Sequence, residues 1–383
     1  MKKKDFKFLF SSFVFWRLVL FIFLFLAISI VQLQEKFLGG NLEDYLRAPY
    51  LWAWVNFDGE HYLSIAYQGY LSLTHFYFPA YSLITKFIAG LFNQNFITIV
   101  ISGLLVSNVS FLVALIGLWK LIRLDYKENI ASLAILLLLV FPTSFYFGSF
   151  YTESLFLALV VWSFYFARKQ KWLLAGILGA VLTATRVVGI ALVPALIVEV
   201  WLQKRKNKKL GLFWPIVGIF LVPLGLFAYM YYLKITTGDP LEFFHSVSIF
   251  GQQRSSSLIL LPQVFYRYFF KVLPNVNYDY FPIVFSTFLE IIAAIIFLVL
   301  TIVSFFKLRL SYAFYLAAGY LIPTLSGSFS SLPRYVLVFF PGFILMAIWL
   351  SKKSKWLRTA VLLILFLALG IATALFVRGY WVA

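Results

Sequence analysis

Asp58, Glu60 and His61 crowd into the segment Asn56-Phe57-Asp58-Gly59-Glu60-His61-Tyr62. Two carboxylates and an imidazole this close can move a proton, hold a cation or form ion pairs. Carboxylates beside hydrocarbon are costly, so a cluster in a largely lipid-soluble chain calls for a reason. Each residue also has a plain structural use. Asp is a favoured N-cap, and Asp58 can close the helix that begins near Tyr62. Glu60 can pair with a loop arginine, and His61 can pack at a surface. Asp58 and His61 lie three apart and could present one helical face to a cation. No further ligands accompany them, so neither a metal nor any other cofactor is expected.

Three other residues carry the same double reading. Glu153 follows Tyr151-Thr152 at a turn, where it either caps a helix or works in a site. Arg186 lies about 14 residues beyond Trp172, roughly 20 Å along a helix. That depth suits a snorkelling side chain or one that grips a lipid-borne phosphate. Arg334 follows Pro333 and has the same alternatives. Glu290 falls inside an apolar run and reads as a buried structural partner, with no role assigned.

The elements that must position these residues are membrane helices. Of the 383 residues, 63% are hydrophobic and 12% charged, whereas a soluble domain carries about 25% charged residues. Residues 1–383 read as a single all-α polytopic domain. There is no cysteine, which excludes disulfides and thiolate chemistry. The net charge of +18 comes in clusters between apolar runs, as in Lys2-Lys3-Lys4, Arg168-Lys169, Lys204-Arg205-Lys206 and Lys352-Lys353. Such clusters mark cytoplasmic loops, so the excess charge speaks of a bilayer and not of nucleic acid.

With the N-terminus cytoplasmic, the first span at about 13–33 leads to a first outer loop at 34–75. The run 76–92 reads as a re-entrant or surface helix, because a full crossing would put two basic clusters outside. Spans at about 96–119, 130–149, 152–167, two within 173–201, and 212–233 precede a second outer loop at 234–280. Spans at about 281–306, 312–325, 335–350 and 359–377 complete about eleven, in a range of ten to twelve. The chain is placed as a multi-pass protein of the cell (plasma) membrane. Asp58, Glu60, His61, His75, Glu153, Arg186, Asp239, His245, Arg254 and Arg334 then share the extracytoplasmic face. The inner loops carry mainly lysine-type charge. A protein with its reactive groups at one face works at that face, whereas a transporter or flippase of a lipid-linked glycan, the competing reading, needs polar groups at both.

Asp58-Gly59-Glu60-His61-Tyr62-Leu63, Ile65-Ala66 and Gly69-Tyr70 resemble the signature W-D-A-E-H-F-L-x-I-A-x-x-G-Y of GPI mannosyltransferase II proteins. Those are integral-membrane C-type glycosyltransferases. Four more segments are similar to family blocks in the same order: His75 to Tyr81; Pro142 with Tyr151 to Phe156; Ala184-Thr185-Arg186 with Gly189; and Pro333-Arg334-Tyr335 with Pro341. Phe57 stands where the signature has Trp, and Val187-Val188 where it has Ser-Asn. The short chain points to a prokaryotic relative.

The resemblance implies a transmembrane bundle whose long first outer loop packs as short helices on the membrane. It implies a polyprenyl-phosphate sugar donor, most often carrying mannose, and direct inverting transfer to a hydroxyl of a glycan, glycolipid or protein acceptor. Asp58 is then the base, which such a transfer needs. Arg186 is the natural partner of the leaving phosphate. Glu60, His61, Tyr81, Glu153 and Arg334 join it as candidate substrate-binding residues.

Overall fold

Apolar runs punctuated by Pro, Gly and short polar turns fold as helices, and no strand forms among the described residues. The computed structural model describes residues 2–71, 74–246 and 258–382. Arg254 and part of the expected second outer loop lie outside the described residues. The chain opens with α1 (Lys3–Ile30), followed by the short helices α2 (Leu42–Arg47), α3 (Pro49–Trp52), α4 (Asp58–Gln68) and α5 (Pro79–Gly90). Then come α6 (Phe96–Ile122), α7 (Glu128–Val140), α8 (Glu153–Arg168), α9 (Trp172–Thr183), α10 (Leu192–Lys206), α11 (Phe213–Leu221) and α12 (Leu224–Thr236). After the short α13 (Glu242–His245) and α14 (Leu261–Arg267), the chain finishes with α15 (Phe281–Lys307), α16 (Leu310–Thr324), α17 (Leu332–Tyr335), α18 (Phe340–Ser351) and α19 (Lys355–Val377).

Among the described residues six helical stretches are long and apolar enough to cross a membrane: α1, α6, Val187–Lys206, Phe213–Thr236, α15 and α19. The pair Leu332–Val338 and Phe340–Ser351, bent by 82°, raises this to seven at most. The expected eleven is not reached by length. The reason is local: α7, α8, α9 and α16 are cut to 12–16 residues by breaks at Pro142, Thr152, Thr185 and Leu325, short of the roughly 20 that a bilayer asks for.

The ends of these helices sort by charge. Lys4 pairs with Glu128 at the head of α7 (3.0 Å). Arg168, at the end of α8, donates two 2.7 Å hydrogen bonds to Asp125, just past α6. Lys204 to Lys206 close α10, and Lys352-Lys353 follow α18. All these basic clusters therefore gather at the end of the bundle opposite Asp58. That end also holds a buried ionic cluster: Glu199, fully buried, accepts from Arg309 Nε (2.7 Å) and Nη2 (2.8 Å), Ser311 Oγ (2.8 Å) and Gln203 Nε2 (2.7 Å). That end is thus richer in paired charge than its lysine-dominated loops suggest. Residues 110 apart in sequence meet there, and each alone reads as an ordinary helix-end charge.

At the Asp58 end, α5 folds back beside the first half of α6. The Tyr81 hydroxyl donates to Gly103 O (2.9 Å) and contacts Ser107 Oγ (2.8 Å). Residues 91–95 link the end of α5 to the start of α6, so the two form an antiparallel hairpin. At 12 residues, α5 is only about 18 Å long. Backbone contact sets the α9–α11 crossing. A Cβ on Gly176 would come within 2.4 Å of Gly218 O, and one on Gly218 within 2.5 Å of Trp172 O. Small residues permit this close approach in membrane bundles, and it fixes the helix that delivers Thr185-Arg186.

Candidate active site

The first loop is pinned by one buried asparagine. Asn56 is fully buried; its Oδ1 accepts from Gly39 N (2.9 Å) and its Nδ2 donates to Phe376 O (2.9 Å). Its carbonyl takes the Tyr151 hydroxyl (2.8 Å). The next residue, Phe57, is held at φ 58°, ψ −120°, a backbone state that side-chain-bearing residues adopt only under constraint. This strained corner aims the first residue of α4, Asp58, into the bundle. Asp58 does not cap its helix: the N-cap position is Phe57, without a side-chain hydrogen bond.

Instead Asp58 anchors a chain of alternating charges. Arg334 Nη1 donates to Asp58 Oδ2 (2.6 Å), and the Tyr77 hydroxyl donates to Oδ1 (3.0 Å). Arg334 Nε lies 3.3 Å from Glu153 Oε1, which also accepts from Arg186 Nη1 (2.7 Å). Glu153 is 1% exposed, Arg334 6%, Arg186 12% and Asp58 16%. Glu153 Oε2 and Arg334 Nε have no hydrogen-bond partner among the described residues. Aromatic faces enclose the cations. Arg186 Cζ stands 4.5 Å over the Tyr335 ring, and Arg334 Cζ lies 5.4–5.9 Å from Tyr146, Tyr151, Tyr335 and Trp381. Buried charge is tolerated only when paired in this way.

The network opens into a cavity of about 350 Å³. Asp58, Arg186 and Arg334 form its polar end, while Phe76, Phe78, Val187, Phe243, Leu258 and Leu325 supply apolar walls. Three of the residues picked out in the sequence thus meet around one space, with Glu153 bridging the two arginines from behind. Glu60 and His61 do not line this cavity; His61 stacks on Tyr77 at 4.8 Å. Tyr81 is fully buried, with its hydroxyl spent inside the α5–α6 hairpin. His245 and Asp239 pair with each other in an exposed turn. Among the described residues no three of His, Asp and Glu gather as a metal site. Tyr77 and Tyr335, which fall in segments similar to family blocks, and Trp381 complete the cluster; Trp381 carries no signal of its own, since an isolated aromatic residue in an apolar chain looks like core.

The electrostatics follow from this geometry. Burial alone would raise the Asp58 carboxyl, but the Arg334 guanidinium, helped by His61 and the Tyr77 hydroxyl, holds it below its ordinary value. Burial keeps the His61 imidazole below its usual value against the pull of Asp58. Burial also pushes Glu60 up to about 7. An unfolded Glu titrates at about 4.3, so folding takes up a proton between these values. The Glu60 contribution to stability is full below pH ~4.3 and is lost as pH rises through 7. Glu60→Gln should therefore flatten the fall in melting temperature between pH 5 and 8 and melt above wild type at pH 8. An unchanged pH slope would contradict the raised value.

Residues 78–232, less than half of the chain, match the family model described as dolichyl-phosphate-mannose-protein mannosyltransferase. The match is to that family, and the finer likeness to GPI mannosyltransferase II is not reproduced by it. No curated protein matches the chain by sequence. Among solved structures, ArnT from Cupriavidus metallidurans bound to undecaprenyl phosphate is similar over 96% of this chain and 76% of its own, with 15% identity and a TM-score of 0.52. The Archaeoglobus fulgidus oligosaccharyltransferase AglB, in complex with an inhibitory peptide and a dolichol-phosphate, covers 100% of this chain and 57% of its own, with 11% identity and a TM-score of 0.44. The ArnT likeness shows the fold: the chain is a multi-span membrane protein that shares the architecture of ArnT.

Proposed function

We propose that this protein is a membrane glycosyltransferase that moves a sugar, mannose, from a polyprenyl-phosphate donor to an acceptor hydroxyl with inversion at the anomeric carbon. The observation that carries the reading is one cavity with a carboxylate and two guanidinium groups at its polar end and apolar walls beyond. The apolar walls suit a prenyl chain. The guanidinium groups of Arg186 and Arg334 suit a phosphate, because a planar fork donates two parallel hydrogen bonds. The match to a mannosyltransferase family and the fold shared with a protein bound to undecaprenyl phosphate support the same donor class.

The reaction needs one base and one stabilised leaving group. The acceptor oxygen attacks the anomeric carbon, its proton passes to Asp58, and the bond from that carbon to the phosphate oxygen breaks. The electron pair leaves with the polyprenyl phosphate, whose added charge the arginines stabilise. Arg334 holds Asp58 ionised before the donor arrives. When a phosphate draws Arg334 toward itself, Asp58 loses its main counter-charge and its affinity for a proton rises. We place this face outside the cytoplasm, because the basic clusters gather at the other end of the bundle. A transport pathway would need open polar groups at that other end as well, and the Glu199 oxygens there are already taken by Arg309, Ser311 and Gln203.

Arg186 tests the donor role. Arg186→Ala should raise the donor KM by about 10- to 100-fold, the scale of hydrogen bonds to a charged group at roughly 1.5–3 kcal/mol. Arg186→Lys should fall between the alanine variant and wild type. The assay is transfer from labelled polyprenyl-phosphate mannose in membranes, at matched thermal stability. An unchanged donor KM in Arg186→Ala would remove the phosphate role.

A further inference from the structure

A second cavity, of about 560 Å³, lies against Phe57, the neighbour of Asp58. The partition is thin. Phe57 lines the second cavity, and its neighbour Asp58 lines the first. Trp381 lines the second cavity, packs on Phe57 at 5.2 Å, and sits 5.9 Å from Arg334 Cζ. The volume falls in the ordinary range of small-ligand sites. The lining is mixed in a particular way. Phe37, Phe57, Tyr280, Tyr380 and Trp381 offer ring surfaces, while Glu290, Ser286, Thr287, Ser328 and Gln34 offer hydrogen-bonding groups.

Glu290 is the unusual member. It lies ten residues into the span α15 and is 8% exposed. A carboxylate at such a depth is costly and marks function more often than structure. Its Oε2 accepts from the Tyr268 hydroxyl (2.6 Å), which in turn accepts from Phe329 N (3.1 Å) and contacts Ser328 Oγ (3.3 Å). Tyr268 opens a π-helical turn, Tyr268–Val272, a local irregularity that recurs at functional sites. The Trp381 indole N–H is buried and has no hydrogen-bond partner among the described residues.

We propose that this cavity binds the acceptor, and that the acceptor is a saccharide hydroxyl and not the hydroxyl of a polypeptide side chain. The inference rests on the transferase reading above. A sugar ring has an apolar C–H face and an edge of hydroxyls. Flat aromatic surfaces match the face, and a carboxylate with serine, threonine and tyrosine hydroxyls matches the edge. An extended peptide is recognised chiefly through backbone hydrogen bonds along a free edge. Among the described residues no strand offers such an edge, and the lining residues of α15 and of the Tyr268–Val272 turn have their backbone groups used internally. The position also fits the reaction. An acceptor held against Phe57 lies next to Asp58, the base of the proposed transfer.

The test uses the full chain, purified in lipid nanodiscs, and reads melting temperature against added ligand. The probes are the methyl α-pyranosides of mannose, glucose and galactose, mannobiose, a serine- and threonine-rich hexapeptide, and undecaprenyl phosphate. At least one saccharide should stabilise saturably, as a ligand of the folded state does. Its midpoint concentration should move up by at least about tenfold in Glu290→Gln and in Tyr280→Ala, a change of roughly 1.4 kcal/mol. The undecaprenyl phosphate titration should not move in either variant. No stabilisation by any saccharide, an unmoved saccharide midpoint in both variants, or stabilisation by the peptide alone would overturn the proposal. Saccharide binding through Glu290 together with no binding of undecaprenyl phosphate would uphold this site and overturn the donor reading instead.

Discussion

Asp58→Asn is expected to lower sugar transfer by about 10²- to 10⁴-fold, the usual contribution of a general base, while the protein remains folded. The substitution keeps the shape, and the Tyr77 hydroxyl can still donate to the side-chain oxygen it meets at 3.0 Å. Arg334 loses its closest counter-charge but keeps Glu153 Oε1 at 3.3 Å. The cost in stability should thus stay below the roughly 3–5 kcal/mol of breaking a buried ion pair outright. The check is turnover at saturating donor, beside a melting curve for each protein. A collapse in turnover with a preserved transition supports a base. A transporter of a lipid-linked glycan takes no proton from its cargo, so near-wild-type behaviour of the variant would favour that reading. Near-wild-type sugar transfer would shift the base to Glu60, the other carboxylate of α4.

Arg334→Gln should have the broadest effect of any single change. Arg334 is 6% exposed and lies against both Asp58 and Glu153. Its removal leaves two buried carboxylates with only Arg186 between them, and a loss of about 3–5 kcal/mol is expected. The pH dependence should change in a defined direction. In the wild type the Asp58 carboxyl is held below its ordinary value, which for Asp is about 3.9. Its contribution to stability is therefore present above pH ~3.9 and lost as pH falls through the lower folded value. The acid limb of kcat/KM should likewise lie below pH ~3.9. Without Arg334, burial dominates, the carboxyl binds its proton more tightly, and the acid limb should move up toward neutrality. Arg334→Lys keeps the charge and should hold the limb low, while losing donor affinity for want of the planar fork. Matching acid limbs in wild type and Arg334→Gln would contradict the assigned coupling.

These expectations depend on groups that were legible in the sequence to different degrees. An all-helical membrane protein follows from composition alone, because long apolar runs can satisfy their backbone groups in lipid only as helices. The sorting of basic clusters to one end follows from their spacing between those runs. Asp58, Arg186 and Arg334 stand out because each is an expensive charge in an apolar setting, and a charge is visible wherever it falls. Span lengths were legible only in part: the turn expected within 173–201 falls between Thr183 and Val187, whereas the break at Pro142 inside the expected 130–149 span is settled by packing against neighbours, and hydropathy reads through it.

What the chain alone determines is therefore which residues are too costly to be idle, and near which end of the bundle they stand. Only the tertiary structure decides who meets whom. Asp58 and Arg334 are 276 residues apart, and Glu153 and Arg186 are 33 apart, and no periodicity links them. Tyr81 carries a family-like motif yet spends its hydroxyl on Gly103. Glu290, which had no assigned role, faces a cavity with Tyr268. The physical reason is that a helix sets the direction of a side chain only relative to its own axis, whereas charge pairing and cavity shape depend on how the helices cross. Those crossings are set by close contacts such as Gly176 on Gly218 and by the strained corner at Phe57, and such features acquire meaning only once the partner surface is present.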